Sequence, residues 1–283
     1  MRDQAAELRR LVIQSTRSAA PTAEPSPRLV VLNGAKGGVG VTTVAVNLAV
    51  ALSQQGTRTV VVEADLYRAD AAARCGLSHE ASVADVLAAR RDIHEVLQRG
   101  PAGVQIVPGA WAPGTPLACT EAAQKRLIRQ MKSLGRHCDV VLVDVGSGTS
   151  QVVGRFWQAA DDVILVTTPD AISVMDCYAT MKVFQSQNEA TLVHLVVNKS
   201  ASAASAADVG RRIGHSCHRF LRRDVRLLGH VPLDDEIDEV AKWQIAAMGS
   251  RRWQGPAALA FDELAAALIS AAAPKQAQYA ASA

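Results

Sequence analysis

The segment Gly34-Ala35-Lys36-Gly37-Gly38-Val39-Gly40-Val41-Thr42-Thr43 carries the clearest chemistry in the chain. Its glycines allow a backbone tight enough for successive N–H groups to converge on one anion. A helix starting directly afterwards adds its own unpaired N–H groups and the positive end of its dipole. A phosphate group suits that arrangement. Lys36 adds a cation, and Thr42 places a hydroxyl where Mg²⁺ would be ligated. Two acids stand at the ends of apolar runs, Asp65 beyond Thr59–Val62 and Asp144 after Val140–Val143. An acid leaving the C-terminal end of a buried strand can hold the shell of a phosphate-bound cation. Gly146, two residues later, can offer a backbone N–H to a terminal phosphate.

These groups meet only if a sheet gathers the strand ends. Strand-like runs occur at Leu29–Leu32, Thr59–Val62, Val104–Val107, Val140–Val143, Val163–Val166, Leu192–Val197 and Leu227–Val231. Helical periodicity lies between them, clearest at Thr42–Gln54, Val83–Gln98, Glu121–Leu134, Ala171–Gln185 and Ala203–Leu221, with a final Ala-rich helix over Pro256–Ala272. Short β-rich runs alternating with helices predict an α/β fold, a three-layer, doubly wound and mainly parallel sheet. Ahead of it, Arg2–Ser15 reads as a helix with Ala5, Leu8 and Leu11 or Val12 on one face. The Ser-, Thr-, Ala- and Pro-rich stretch that follows reads as a linker. The expected organisation is an N-terminal helix over 1–15, a flexible linker over 16–27, a domain over 28–272 and a low-complexity, disordered tail over 273–283.

With 49% apolar residues the chain can bury a sizeable core, and its net charge of +3 does not announce a nucleic-acid binder. Five scattered cysteines without a C-x-x-C pair suit a reducing, cytoplasmic setting with no disulfide framework and no zinc site. No apolar run is long enough to span a bilayer. The final helix has no Lys or Arg over Pro256–Ala272, which makes it a poor lipid-surface helix; Arg251, Arg252 and Trp253 before it are the better candidates for peripheral membrane contact. Arg211–Arg223 reads as a basic helix that can face an acidic partner, DNA or lipid.

The glycine-rich loop resembles the deviant Walker A motif K-G-G-x-G-K-[ST] of the MinD/ParA family, and the resemblance extends over nearly the whole chain from Arg28. It implies ATP and Mg²⁺ as cofactors. Lys36 matches the lysine that reaches across an ATP-sandwich dimer to the partner's phosphates. Gly37, Gly38, Val39, Gly40, Val41, Thr42 and Thr43 match the loop around the nucleotide. Asp65 matches the acid of switch I that positions the attacking water or the Mg²⁺ shell, with Glu63 in place of the first Asp of that motif. Val140–Asp144 resembles a Walker B strand, and Asp144 would share the Mg²⁺ shell with Thr42, partly through water. Asn198 stands at the family's adenine-reading position, and Pro232 where a loop covers the base. The departure is Val41, which replaces the second lysine. Charge-assisted bonds contribute roughly 1.5–3 kcal/mol each, so losing one or two weakens ATP binding about ten- to a thousandfold. Hydrolysis is therefore expected to be slow or absent. A similar loss occurs in the CpaE/TadZ pilus-localisation branch.

Asp3-Gln4-Ala5-Ala6-Glu7-Leu8-Arg9 matches D-Q-A-x-x-L-R, the N-terminal signature of the FlhG (FleN, YlxH) branch, regulators of flagellar number. The resemblance implies that Asp3, Gln4, Ala5, Leu8 and Arg9 engage FlhF, a signal-recognition-type GTPase, and stimulate it. Gln4 can orient an attacking water as glutamines do in other GTPases. Thr168-Pro169-Asp170 through Tyr178-Ala179 leans the same way, with Asp176 expected to be exposed. Two alternatives stay open: a CpaE/TadZ-like scaffold for a pilus or secretion machine, and a ParA-type partitioning ATPase using the 211–223 patch on DNA.

Overall fold

A computed structural model describes residues 26–66, 68, 70–110, 119–184, 191–237 and 255–280, with side chains of the last helix described to residue 271. The helix expected over 1–15, most of the linker, residues 251–253 and the last three residues lie outside these.

The chain runs β1 (Arg28–Gly34), α1 (Val41–Gln54), β2 (Thr59–Glu63), α2 (Ala71–Arg74), α3 (Val83–Leu87), α4 (Ile93–Val96), β3 (Gln98–Arg99) and β4 (Gln105–Val107). It continues through α5 (Glu121–Lys132), β5 (Val140–Ser147), α6 (Gln151–Ala159), β6 (Asp162–Thr167), α7 (Ala171–Phe184), β7 (Leu192–Ser200), α8 (Ala203–Ser216), β8 (Val225–Pro232) and α9 (Pro256–Ala280). The eight strands form one sheet in the order β3-β4-β2-β5-β1-β6-β7-β8. Every pairing is parallel except β3 with β4. The expected doubly wound sheet is therefore the one observed.

β1 sits between β5 and β6. From β1 the chain first builds outward to β2 and β4, then returns through β5 and builds the other way through β6, β7 and β8. Such a reversal leaves a crevice at the carboxyl ends of the central strands. Strand alternation fills both faces. Leu29, Val31, Val60, Val62, Val141 and Val143 point to one apolar layer with α5 and α6. Val30, Leu32, Val61, Leu142 and Ile164 point to the other, under α1 and α9. The inner face of α9 contributes Phe261, Leu264, Ala265 and Leu268, each at most 1% exposed.

Three elements differ from the sequence reading. Val83–Gln98 is not one helix: Ser82 opens α3 with a capping box, Ala89 takes a left-handed φ of 58°, and Asp92 opens α4 with a second capping box. Two complete start signals in one periodic stretch divide it. Gln98 and Arg99 then pair with Ile106 and Gln105. At the other end α9 continues as helix to Ala280, eight residues past the expected stop. The Ala-rich sequence has no breaker before that point except Pro274, which does not end the helix. The basic segment finishes as a π-helical turn, Cys217–Leu221, closed by Arg222 in a left-handed conformation.

Candidate phosphate-binding site

β1 delivers its chain to the crevice at Gly34, where any Cβ would come within 2.6 Å of Val41 Cγ2. The loop then turns through Gly38 and Gly40 at φ +84° and +89°. α1 starts at Val41 with no side-chain cap and no acid in its first turn. Its first N–H groups are thus left for an external acceptor, which is what an anion site at a helix N-terminus requires.

The loop is anchored from β6 and β7. Ala35 N donates to Val166 O at 2.9 Å. Asn198 Nδ2, at the end of β7, donates to Val39 O at 2.7 Å, and its Oδ1 accepts from Lys199 N at 2.9 Å. A Cβ on Gly40 would stand 2.4 Å from that Nδ2. Asn198 thus lines the crevice and at the same time holds the loop. Asn33, fully buried in β1, ties the loop to the Walker B turn: its Nδ2 donates to Gly146 O at 3.2 Å, and its Oδ1 accepts from Trp157 Nε1 at 3.2 Å. The sequence reading missed both Asn33 and Trp157. The signal available was a lone amide inside an apolar strand, which cannot be buried without partners.

The crevice encloses about 350 Å³. Lys36, Gly37, Gly38, Gly40, Val41, Thr42 and Thr43 line one side, Asp65 and Gly146 another, and Asn198 and Pro232 the far end. Most of the predicted site residues are therefore brought together. Val39 and Asp144 do not line it: the Val39 side chain is 1% exposed within the core beneath α1, and Asp144 is 0% exposed. Val41 is a partial exception. It lines the crevice, yet its side chain is 7% exposed and packed in the same core layer. What the substitution removes is a charge, and it adds little apolar surface to the cleft.

Asp144 is fully buried behind the lining residue Gly146. Its Oδ1 accepts from Gly146 N at 2.9 Å, and its Oδ2 is enclosed with no hydrogen-bond partner among the described residues. Burial pushes its pKa up to about 7, against the opposing influence of the Thr42 side chain and the Gly146 N–H; Glu63 and Asp65 add to the rise. Asp65 sits so close over Gly146 that a Cβ there would clash with its carboxylate, and Gly146 itself takes φ +68°. An orphaned buried carboxylate oxygen near a hydroxyl and a second acid suits the hydrated shell of Mg²⁺. Among the described residues no cluster of three or more His, Cys, Asp or Glu could hold a metal by itself. Thr42 and Asp144 would therefore supply part of such a shell, with phosphate oxygens and water completing it.

Glu63 does not line the crevice. It is 1% exposed and accepts from Ala71 N at 2.6 Å, Gly109 N at 2.8 Å and Ala72 N at 3.4 Å. Burial raises its pKa, and these three bonds oppose the rise. It fastens the segment after Asp65 to the sheet.

Lys36 Nζ lies 2.9 Å from Asp170 Oδ1 at the start of α7. The Asp170 carboxylate also accepts from Thr168 Oγ1, Ser173 Oγ and Ser173 N, and these bonds together with Lys36 hold its pKa far below the usual carboxylate range. Lys36 thus points at an acid of its own chain. Asp176, expected to be exposed, is half-buried, while Ile172 and Met175 beside it are 64% and 72% exposed. In the basic segment Arg211 and Arg212 pair with Asp208, and His218 with Asp224, so part of that charge is neutralised locally.

No helix among the described residues is long and apolar enough to cross a membrane. A family model described as ParA, NUBPL iron-transfer P-loop NTPase, matches residues 27–269. The antiactivator FleN of Pseudomonas aeruginosa is 30% identical over 77% of this chain and 78% of its own length. The flagellum site-determining protein YlxH of Helicobacter pylori is 26% identical over 62% of this chain and 58% of its own length. Among solved structures, the cell division ATPase MinD of Pyrococcus furiosus superposes with a TM-score of 0.72 at 25% identity, over 87% of this chain and 99% of that one. MinD of Pyrococcus horikoshii, solved in complex with Mg-ADP, gives 0.71 at 25% identity over 84% and 94%. With its deviant glycine loop, Walker B acid and switch acid gathered at one crevice, the chain belongs to the MinD/ParA family of P-loop NTPases, on its FleN/YlxH branch.

Proposed function

We propose that this protein is an FlhG-like regulator of flagellar number or placement, whose P-loop domain binds ATP with Mg²⁺ and whose N-terminal helix stimulates the GTPase FlhF. The observation that carries the reading is the likeness to FleN across the P-loop domain, joined to the D-Q-A-x-x-L-R match at Asp3–Arg9. In the cleft, the N–H groups of Gly37–Thr43 cradle the phosphates, while the Gly146 N–H, expected from the sequence to meet the terminal phosphate, is committed to Asp144 Oδ1 at 2.9 Å and steadies that acid instead. Thr42 and Asp144 would hold part of the Mg²⁺ shell, and the cation would supply charge neutralisation at the phosphates. Asp65 orients water at the cleft mouth. Asn198 and Pro232 bound the end where the base lies.

Lys36 is the residue that couples occupancy to pairing of two chains. In one copy its charge is satisfied by Asp170. In a nucleotide-bound homodimer it leaves Asp170 for the partner's phosphates. Without a lysine at position 41 the chain turns ATP over slowly or not at all, so nucleotide serves to set the conformation and the dimer. The domain acts in the cytoplasm, with any membrane contact peripheral.

The test is GTP hydrolysis by FlhF in the presence of the full chain and of a chain starting at residue 16. The full chain stimulates and the truncated one does not. Stimulation that survives the truncation contradicts the proposal; absence of stimulation by the full chain returns weight to a pilus-type scaffold.

A further inference from the structure

The loop has lost a lysine, yet the cleft is not short of cations. Arg68 and Arg74, both on the segment that follows Asp65, line it together with Lys36 and the glycine loop. Arg74 is the last residue of α2, and the other end of that helix is clamped: Ala71 N and Ala72 N both donate to the buried Glu63 carboxylate. The same carboxylate holds Gly109 N. Arg74 therefore projects from a base fixed to the sheet.

Its side chain lacks what other arginines of this protein have. Arg28, Arg58, Arg90, Arg155 and Arg211 each pair with a carboxylate. Arg74 has no ion pair among the described residues, and its Nε is buried without a hydrogen-bond partner. A half-buried guanidinium with an unsatisfied donor is costly until an acceptor arrives. An arginine fork matches phosphate oxygens better than any other side chain does.

We infer that Arg74, assisted by Arg68, supplies the phosphate-binding charge that Val41 does not, so that the cation for the nucleotide's outer phosphates comes from the switch segment and not from the glycine loop. The inference rests on the nucleotide reading of the cleft. It also makes affinity depend on how the switch segment is held. A lysine on the loop would bind phosphate whatever the switch does, whereas Arg74 binds it only while Glu63 keeps α2 in place.

The experiment is equilibrium binding of fluorescent ATP, ADP and AMP, with Mg²⁺, to the full chain and to Arg74→Gln, Arg74→Lys and the double variant Val41→Lys/Arg74→Gln. Thermal melts confirm that each is folded. Arg74→Gln should weaken ATP about tenfold or more, the loss of one charge-assisted bond, and change AMP less than about twofold. Arg74→Lys should recover part of the loss, and Val41→Lys should restore ATP binding in the Arg74→Gln background. ATP binding unchanged in Arg74→Gln overturns the inference and leaves the nucleotide reading intact. Equal losses for ATP and AMP, or no rescue by Val41→Lys, overturn it too, since they show a merely structural role. Absence of binding of all three nucleotides by the unaltered chain overturns the nucleotide reading and this inference together.

Discussion

Asp144→Asn isolates the free energy held in the buried carboxyl beside the cleft. Burial raises the Asp144 pKa from 3.8 to about 7. At 1.36 kcal/mol per unit, that rise means the folded protein loses up to about 4 kcal/mol when the group ionises. The sign follows from the raised folded value. The protonated carboxyl stabilises the fold fully below the unfolded pKa, and that stability drains away as pH climbs toward 7. Asparagine is nearly isosteric, keeps an oxygen for the Gly146 N–H bond seen at 2.9 Å, and carries no charge. The variant should therefore match the wild type near pH 4 and exceed it increasingly up to pH 8, where the gain approaches the full ~4 kcal/mol. Urea unfolding in the presence of a chelator, at pH 5 and pH 8, reads the difference directly. A variant no more stable than the wild type at pH 8, or a gain that is the same at both pH values, refutes the reasoning. The cost makes sense as the price of function: a carboxylate poised to ionise when a cation arrives is a strained resident until then.

Two further outcomes follow from particular contacts. Gly40→Ala should cut nucleotide affinity by at least about tenfold and lower stability by about 1–3 kcal/mol, because φ is +89° and the new Cβ meets Asn198 Nδ2 at 2.4 Å; nucleotide titration and thermal melts check both, and an unperturbed variant would contradict the loop geometry. Asp162→Asn breaks a buried cluster in which Arg28 Nε and His194 Nε2 lie 2.6 and 3.0 Å from the carboxylate, and should cost about 3–5 kcal/mol. Burial works to raise the Asp162 pKa, but the bonds from His194 and Arg28 outweigh it and the net shift is downward. Its contribution is therefore present above the ordinary carboxylate pKa and lost as pH falls through the lowered one, so the gap between wild type and variant should narrow in acid denaturation.

The sheet was legible because its strands are unbroken Val- and Leu-rich runs, which a parallel sheet buried on both faces demands. The loop was legible because glycine, lysine and threonine stand in a register that few other structures use. The division of Val83–Gln98 was not, since apolar periodicity runs through it and only the paired start signals at Ser82 and Asp92 betray the break. Glu63 shows a different limit. As a residue type it reads as a conservative exchange of one switch acid for another, yet the longer side chain reaches back to fasten Ala71, Ala72 and Gly109. Val41 shows the same limit from the other side: the sequence reveals the missing charge, but only packing reveals that the side chain turns into the core and that Arg68 and Arg74 share the vacated cleft. Interactions between residues distant in sequence carry these facts, and no local pattern encodes them.

On this reading the crevice at the end of β1 remains a nucleotide site although Val41 stands where the family has its second lysine. Calorimetric titration of the full chain with Mg-ATP tests it most directly. Saturable binding of one nucleotide per chain is expected, and it should disappear when Mg²⁺ is withheld and when Asp144 is changed to Asn. Binding that is absent in the unaltered chain, or that is indifferent to both Mg²⁺ and Asp144, would contradict it.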